Sequence, residues 1–115
     1  MAVGQAGSVK SAVVNISSAT TTTIVAAVTG KSIAVIGYQL ALSGTTTPTF
    51  LFQDGNATNL TGTYGPGGTA ATLFTAGADR AIGLFSTANG VSLRIVSAGT
   101  APNIQGVIQY YESLD

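Results

Sequence analysis

The chain has no cysteine, no histidine and no tryptophan, and only four Lys plus Arg and four Asp plus Glu in 115 residues. Each absence removes some chemistry. Without Cys there is neither a disulfide framework nor a thiolate metal site, and the redox state of the compartment stays open. Without His no side chain has an ordinary pKa near neutrality, so general acid-base catalysis would rest on the carboxylates alone. Four cationic residues cannot build the polybasic surface that displaces counterions from a phosphate backbone, which argues against DNA or RNA partners. Charged residues are 7% of the chain, against about 25% in an ordinary soluble domain. Uninterrupted apolar runs, such as Val25–Val28 and Ile33–Ile36, stay far below the ~18 residues of a membrane span. The first ten residues lack the basic and apolar regions of a secretory leader, so no entry into a membrane is expected.

What fills the chain instead is 17 Thr, 10 Ser and 15 Gly. β-branched Thr, Val and Ile suit a pleated surface and Gly supplies turns, so this is a strand-and-turn composition. The length fits one domain, large enough to bury about two-thirds of the surface that its unfolded form exposes.

Period-two alternation and turn signals place strands at Ser11–Ile16, Thr21–Val28, Ser32–Leu42, Thr49–Gln53, Asn59–Tyr64, Thr69–Thr75, Ile82–Phe85, Val91–Ser97 and Ile104–Glu112. In the second, Ile24, Ala26 and Val28 share a face. In the third, Ala34, Ile36, Tyr38, Leu40 and Leu42 make the better core face. Phe50 and Phe52 should point inward from the fourth, with Pro48 at its start. Val28-Thr29-Gly30-Lys31 reads as a hairpin turn, Asp54-Gly55-Asn56 as a reversal, and Asn89-Gly90 as the strongest hairpin signal. The expected architecture is all-β: a single antiparallel β-sandwich of about eight strands, jelly-roll type, over residues 11–115, behind a flexible N-terminal arm at residues 1–10.

No catalytic, cofactor or metal site emerges. Asp54 is better explained by a turn in which the carboxylate bonds its own backbone, and Asp79-Arg80 by a local ion pair in a loop. Asp54-Gly55-Asn56 lacks the further acidic ligands of a calcium loop. The stretch Gly62–Gly68 is followed by neither a Lys-Ser/Thr pair nor a helix, so it is a wide loop and no phosphate cradle. The sequons at Asn15, Asn56 and Asn59 are what a Ser- and Thr-rich chain produces by chance. The Thr runs at 20–23 and 45–47 do not repeat as an ice-binding array would. Arg94 should point outward between Leu93 and Ile95, to pair with Glu112 if their strands are neighbours or with another chain.

The layout from Ile16 to Leu42, a short strand, the Thr29-Gly30-Lys31 turn and a long strand, resembles the opening of small β-sandwich virion proteins of tailed bacteriophages. Phe74 to Phe85, the Asn89-Gly90 turn and the closing Gly106 to Glu112 extend the likeness over residues 16–112. The resemblance implies a non-enzymatic capsid decoration, or cement, protein. Such proteins sit on the capsid exterior of the virion, often as homotrimers, and bridge major capsid protein subunits. An N-terminal arm reaching a neighbour is common among them. Val3, Val9, Lys10, Arg94, Tyr111 and Glu112 are then the assembly candidates. The alternative on the same scaffold is a tail or fibre component binding a host glycan, with Tyr64 and Tyr111 as its aromatic platforms.

Overall fold

The computed structural model describes residues 8–44, 46–65, 72–77 and 83–114. Eight strands run through them: β1 (Lys10–Ile16), β2 (Thr21–Val25), β3 (Lys31–Ser43), β4 (Thr46–Asp54), β5 (Thr72–Gly77), β6 (Phe85–Ser86), β7 (Leu93–Thr100) and β8 (Asn103–Leu114). They form two antiparallel sheets. The larger has the order β1-β8-β3-β5, with β6 also on β3, and the smaller has the order β2-β7-β4. No helix among the described residues is long and apolar enough to cross a membrane.

One apolar core lies between the sheets. Val14, Ile33, Leu40 and Ile108 enter it from the larger sheet, and Val25, Phe52, Leu93 and Ile95 from the smaller. Phe50 and Phe52 are buried as their alternation requires, and Ser97 follows Leu93 and Ile95 inward. The Ser97 hydroxyl stands 2.7 Å from the Ser18 carbonyl and accepts from the Thr20 amide at 3.0 Å, so its burial leaves no polar atom without a partner.

Seven aromatic rings gather on this core: all four Phe, with Tyr38, Tyr64 and Tyr110. Phe52 packs against Phe85 and Tyr38 with ring centroids 4.9 and 5.2 Å apart, and Phe50 against Tyr64 at 5.1 Å. Tyr38 Oη donates to Tyr64 Oη at 3.0 Å. Burial, with the Tyr64 hydroxyl acting in the same direction, pushes the Tyr38 phenol above its ordinary value.

The alternation of β3 changes phase where the sequence showed none. Val35 pairs with Tyr110 and Gly37 with Gln109, leaving Ile36 as the extra residue of a bulge. Beyond the bulge Leu40 and Leu42 face the core as expected; before it, Ile33 and Val35 do, in place of Ala34 and Ile36. β2 behaves similarly. A register shift at Ile24 puts Val25 in the core, and the strand ends there, with Ala26 exposed where the expected strand continued to Val28.

The turns fall where expected, but they join different partners. The Lys31 amide donates to the Val28 carbonyl at 3.1 Å, and the Val91 amide to Ala88 at 3.1 Å. Yet β2 and β3 lie in different sheets, as do β6 and β7, so neither turn closes a hairpin. Turn chemistry sets a local reversal, while the partner of each strand is set by what its apolar face must cover. Among the described strands only the β5–β6 connection stays within one sheet, and no ladder joins strands consecutive in sequence.

Two further expectations change in detail. Pro48 lies inside the bounds of β4 and not at its start, where the register shifts between Thr46 and Thr49; a bulge is where a strand tolerates a missing N–H. Residues 59–64 run beside β4 through isolated bridges, Phe50 to Tyr64 and Gln53 to Asn59, and not as a regular strand. The Thr61 hydroxyl accepts from the Phe52 amide at 3.1 Å, where a backbone carbonyl would serve in a continuous ladder. The start of the expected strand at Thr69–Thr75, the Ile82 end of the next one, and Asp79-Arg80 lie outside the described residues.

Candidate functional site

The outward side chains of the larger sheet follow from its register. Ser11, Val13 and Asn15 of β1 stand beside Gln109, Val107 and Gln105 of β8. These stand beside Gly37, Gln39 and Ala41 of β3, and those beside Gly77, Thr75 and Leu73 of β5. The result is a set of cross-strand rows without a Lys, Arg, Asp or Glu. Two of the exposed large apolar side chains belong to it: Val13 at 79% and Leu73 at 60% exposure, on opposite edge strands. Val9, 46% exposed, precedes β1 on the Val13 edge.

Carboxamides form the polar part of this face. Gln105 Nε2 donates to Asn15 Oδ1 at 2.6 Å and to Asn103 Oδ1 at 2.8 Å, linking the two strands across the surface. A shallow depression of about 140 Å³, lined by Tyr38, Gln39, Ala76, Val107 and Gln109, sits where Gly37 meets Gly77. It falls below the roughly 300 Å³ at which small-molecule sites begin. The depression is thus no small-molecule cleft.

Of the assembly candidates read from the sequence, the structure brings together only Lys10 and Glu112. Val3 lies outside the described residues, as do the other residues of the expected arm up to Gly7; Lys10 already opens β1. Lys10, Glu112 and Lys31 form one ion cluster: Lys10 Nζ is 3.1 Å from Glu112 Oε2, and Lys31 Nζ is 3.7 Å from Oε1. It ties together β1, β8 and β3. Arg94 belongs to the other sheet, so its expected pairing with Glu112 does not form. Its Nε donates instead to Gln53 Oε1 at 2.8 Å, on the neighbouring β4.

Tyr111 projects from β8 opposite Ala34 and is only 9% exposed. Tyr64 is packed against Phe50 and Phe74. Neither ring stands out as the open platform that a glycan needs. Asp54 is buried in its turn, with Oδ1 accepting from the amides of Asn56 and Thr58 at 2.9 and 3.1 Å, which is the backbone role expected for it. Among the described residues no group of three or more His, Cys, Asp or Glu could hold a metal ion.

Val13, Leu73, the carboxamide row and the part of Lys31 in the ion cluster were not singled out in the sequence. A signal existed for the apolar ones. Val13-Val14, Leu73-Phe74 and Val107-Ile108 are adjacent apolar pairs, and in a strand one member of each pair must face away from the core. No protein-family model matches the chain, and neither a curated protein nor a solved structure shows significant similarity to it.

Proposed function

We propose that this chain is a non-enzymatic structural protein of a phage particle, a homo-oligomeric decoration subunit on the capsid exterior that bridges major capsid protein subunits. The observation that carries the proposal is the outer face of the larger sheet: four strands wide, free of charge among its described residues, and flanked by exposed Val13 and Leu73. Depletion of charge, more than bulk hydrophobicity, is what marks the centre of a protein interface, because uncharged groups lose less on leaving water. A subunit of this kind acts by burial, each copy holding together neighbours that would otherwise separate.

The scaffold supports the same reading. With residues 59–64 counted as a fifth strand beside β4, and β5 with β6 merged into a sixth beside β3, renumbering the strands in chain order makes the sheets 1-8-3-6 and 2-7-4-5. That order, with nearly every connection crossing between sheets, is the jelly-roll arrangement common in capsid proteins.

The test is the protein's place and number in purified particles, by quantitative mass spectrometry and electron cryomicroscopy. Hundreds of copies on the shell are expected. A handful of copies at the tail, or none, overturns the proposal. The N-terminal segment is proposed to add an arm contact: deleting Ala2 to Val9 should lower capsid occupancy with the circular dichroism spectrum unchanged, and undiminished occupancy refutes that part.

A further inference from the structure

We infer that Arg94, on the outer face of the smaller sheet, captures an Asp or Glu side chain of a different protein. This rests on the reading of a bridging subunit, which needs two contact surfaces, and places the second on the sheet opposite the charge-free face.

The position of Arg94 follows from its strand. Leu93, Ile95 and Ser97 are buried in the core, so Arg94 and Val96 between them face outward, each half-buried. Register puts Thr21, Val96 and Leu51 in one cross-strand row and Thr23, Arg94 and Gln53 in the next, with Asn59 bridged to Gln53 beyond it. The guanidinium thus belongs to the middle strand of three, with half-buried Val96 and Leu51 in the adjoining row. An arginine beside a small apolar patch at the centre of a face is the composition of an interface hot spot.

Hydrogen-bond direction says what it can hold. Among the described residues Arg94 is the one cation with no ion pair, since Lys10 and Lys31 share Glu112. Its Nε donates to Gln53 Oε1 at 2.8 Å, which leaves both terminal nitrogens without a partner among those residues. A guanidinium can only donate, so Gln53 must turn its oxygen to Arg94. Gln53 Nε2 then donates to Asn59 Oδ1 at 3.0 Å, and Asn59 is left with its amide nitrogen to offer. Arg94 therefore orients the whole row, and the groups left over are chiefly N–H donors. Gln53 also fixes the guanidinium plane in advance, so less side-chain freedom is lost on binding.

Such a row rejects a copy of itself, which would bring donor against donor and cation against cation. It fits an acceptor-only group, and a carboxylate meets the two terminal nitrogens end-on in two parallel bonds. A nucleic-acid backbone is a poorer match, because it draws on several cations and this face has one among its described residues. The described carboxylates of the chain are already engaged, Glu112 by the two lysines and Asp54 by the amides of Asn56 and Thr58. The acid therefore comes from another protein.

Two measurements on the full chain separate the chemistry from the place where it is used. In solution at low ionic strength, the Arg94 Nε–Hε NMR signal, assigned by its loss in Arg94→Lys, is followed during titration with an end-blocked tetraglutamate peptide and with its neutral tetraglutamine counterpart. A saturable shift is expected with the acidic peptide alone, weakened at least about threefold in Gln53→Leu. On purified particles, Arg94→Gln should raise the dissociation constant at least about tenfold with unchanged circular dichroism. Lys31→Gln, an equal loss of charge on the other sheet, should not. Arg94→Lys puts an amine at the same site, and a carbodiimide should link it to an Asp or Glu of another particle protein, identified by peptide mass spectrometry. Equal responses to the two peptides overturn the inference, and so does a link to Asp79 or Asp115 of a second copy. A chain that prefers the acidic peptide but is absent from particles overturns only the virion reading. A chain abundant on the shell whose Arg94→Gln variant keeps full occupancy overturns only this one.

Discussion

Replacing Gly106 by alanine is the sharpest test of how the larger sheet is built. Gly106 lies in its interior, between Val14 of β1 and Leu40 of β3. Its φ is +152°, and a Cβ there would come 1.9 Å from the Gln39 carbonyl oxygen and 3.0 Å from Leu40 Cα. Both atoms are main chain, so no side chain can rotate away and part of a central ladder must move. A sparsely populated backbone conformation costs about 1–3 kcal/mol, and overpacking adds about 1–3 kcal/mol. The Gly106→Ala variant should therefore lose about 3–5 kcal/mol, a large part of the ~5–15 kcal/mol that stabilises a domain. In thermal unfolding this is a drop of about 15 °C or more in Tm. The assay is urea unfolding followed by tyrosine fluorescence and far-ultraviolet circular dichroism at fixed protein concentration. Gly62→Ala is the control: no atom lies within 4 Å of its added Cβ, and its stability should stay within about 1 kcal/mol of wild type. Adding Gln39→Gly should not rescue Gly106→Ala, because the obstructing atom belongs to the backbone. A Gly106→Ala protein within about 1 kcal/mol of wild type would refute the geometry.

Two further outcomes follow from buried and charged groups. The Tyr38 phenol is held above its ordinary value in the folded state, chiefly by burial. Above about pH 10 the unfolded chain therefore releases a proton that the folded chain keeps, and stability falls as pH rises. The urea midpoint should decline above about pH 10 in the wild type and decline less steeply in Tyr38→Phe; identical slopes would contradict this. Glu112→Gln removes the negative charge shared by Lys10 and Lys31. Because the lysine side chains are 49% and 37% exposed, the cost should be only about 0.5–1 kcal/mol and should shrink with added salt, as measured by urea unfolding at low and high ionic strength.

Much of the local structure was legible in residue types. Gly30, Gly55 and Gly90 mark reversals because their neighbours' backbone groups bond across them, and those bonds form at Lys31 to Val28, Ala57 to Asp54 and Val91 to Ala88. Phe50 and Phe52 point inward because strand alternation leaves them no other face. Where the pattern held an even count it was right; where one residue was inserted, at Ile36 and Ile24, every position before or after it changed side. No composition or period signals such an insertion, because a bulge is chosen by the strand across from it. The same limit explains Arg94. Its outward direction follows from Leu93 and Ile95, but its partner depends on whether β4 or β8 lies alongside.

The scarcity of charge and the abundance of Thr, Ser and Gly by themselves determined an all-β chain with little catalytic equipment and a largely uncharged surface. These are properties of side chains taken singly or over a few neighbours. Only the tertiary structure decided that β1 pairs with β8 across some hundred residues, that Lys10 and Lys31 share Glu112, and that Val13 and Leu73 flank one charge-free face. Those are relations between distant segments. They are set by which pairing of strands buries both Val14 and Phe74 at once and leaves the other member of each apolar pair outside.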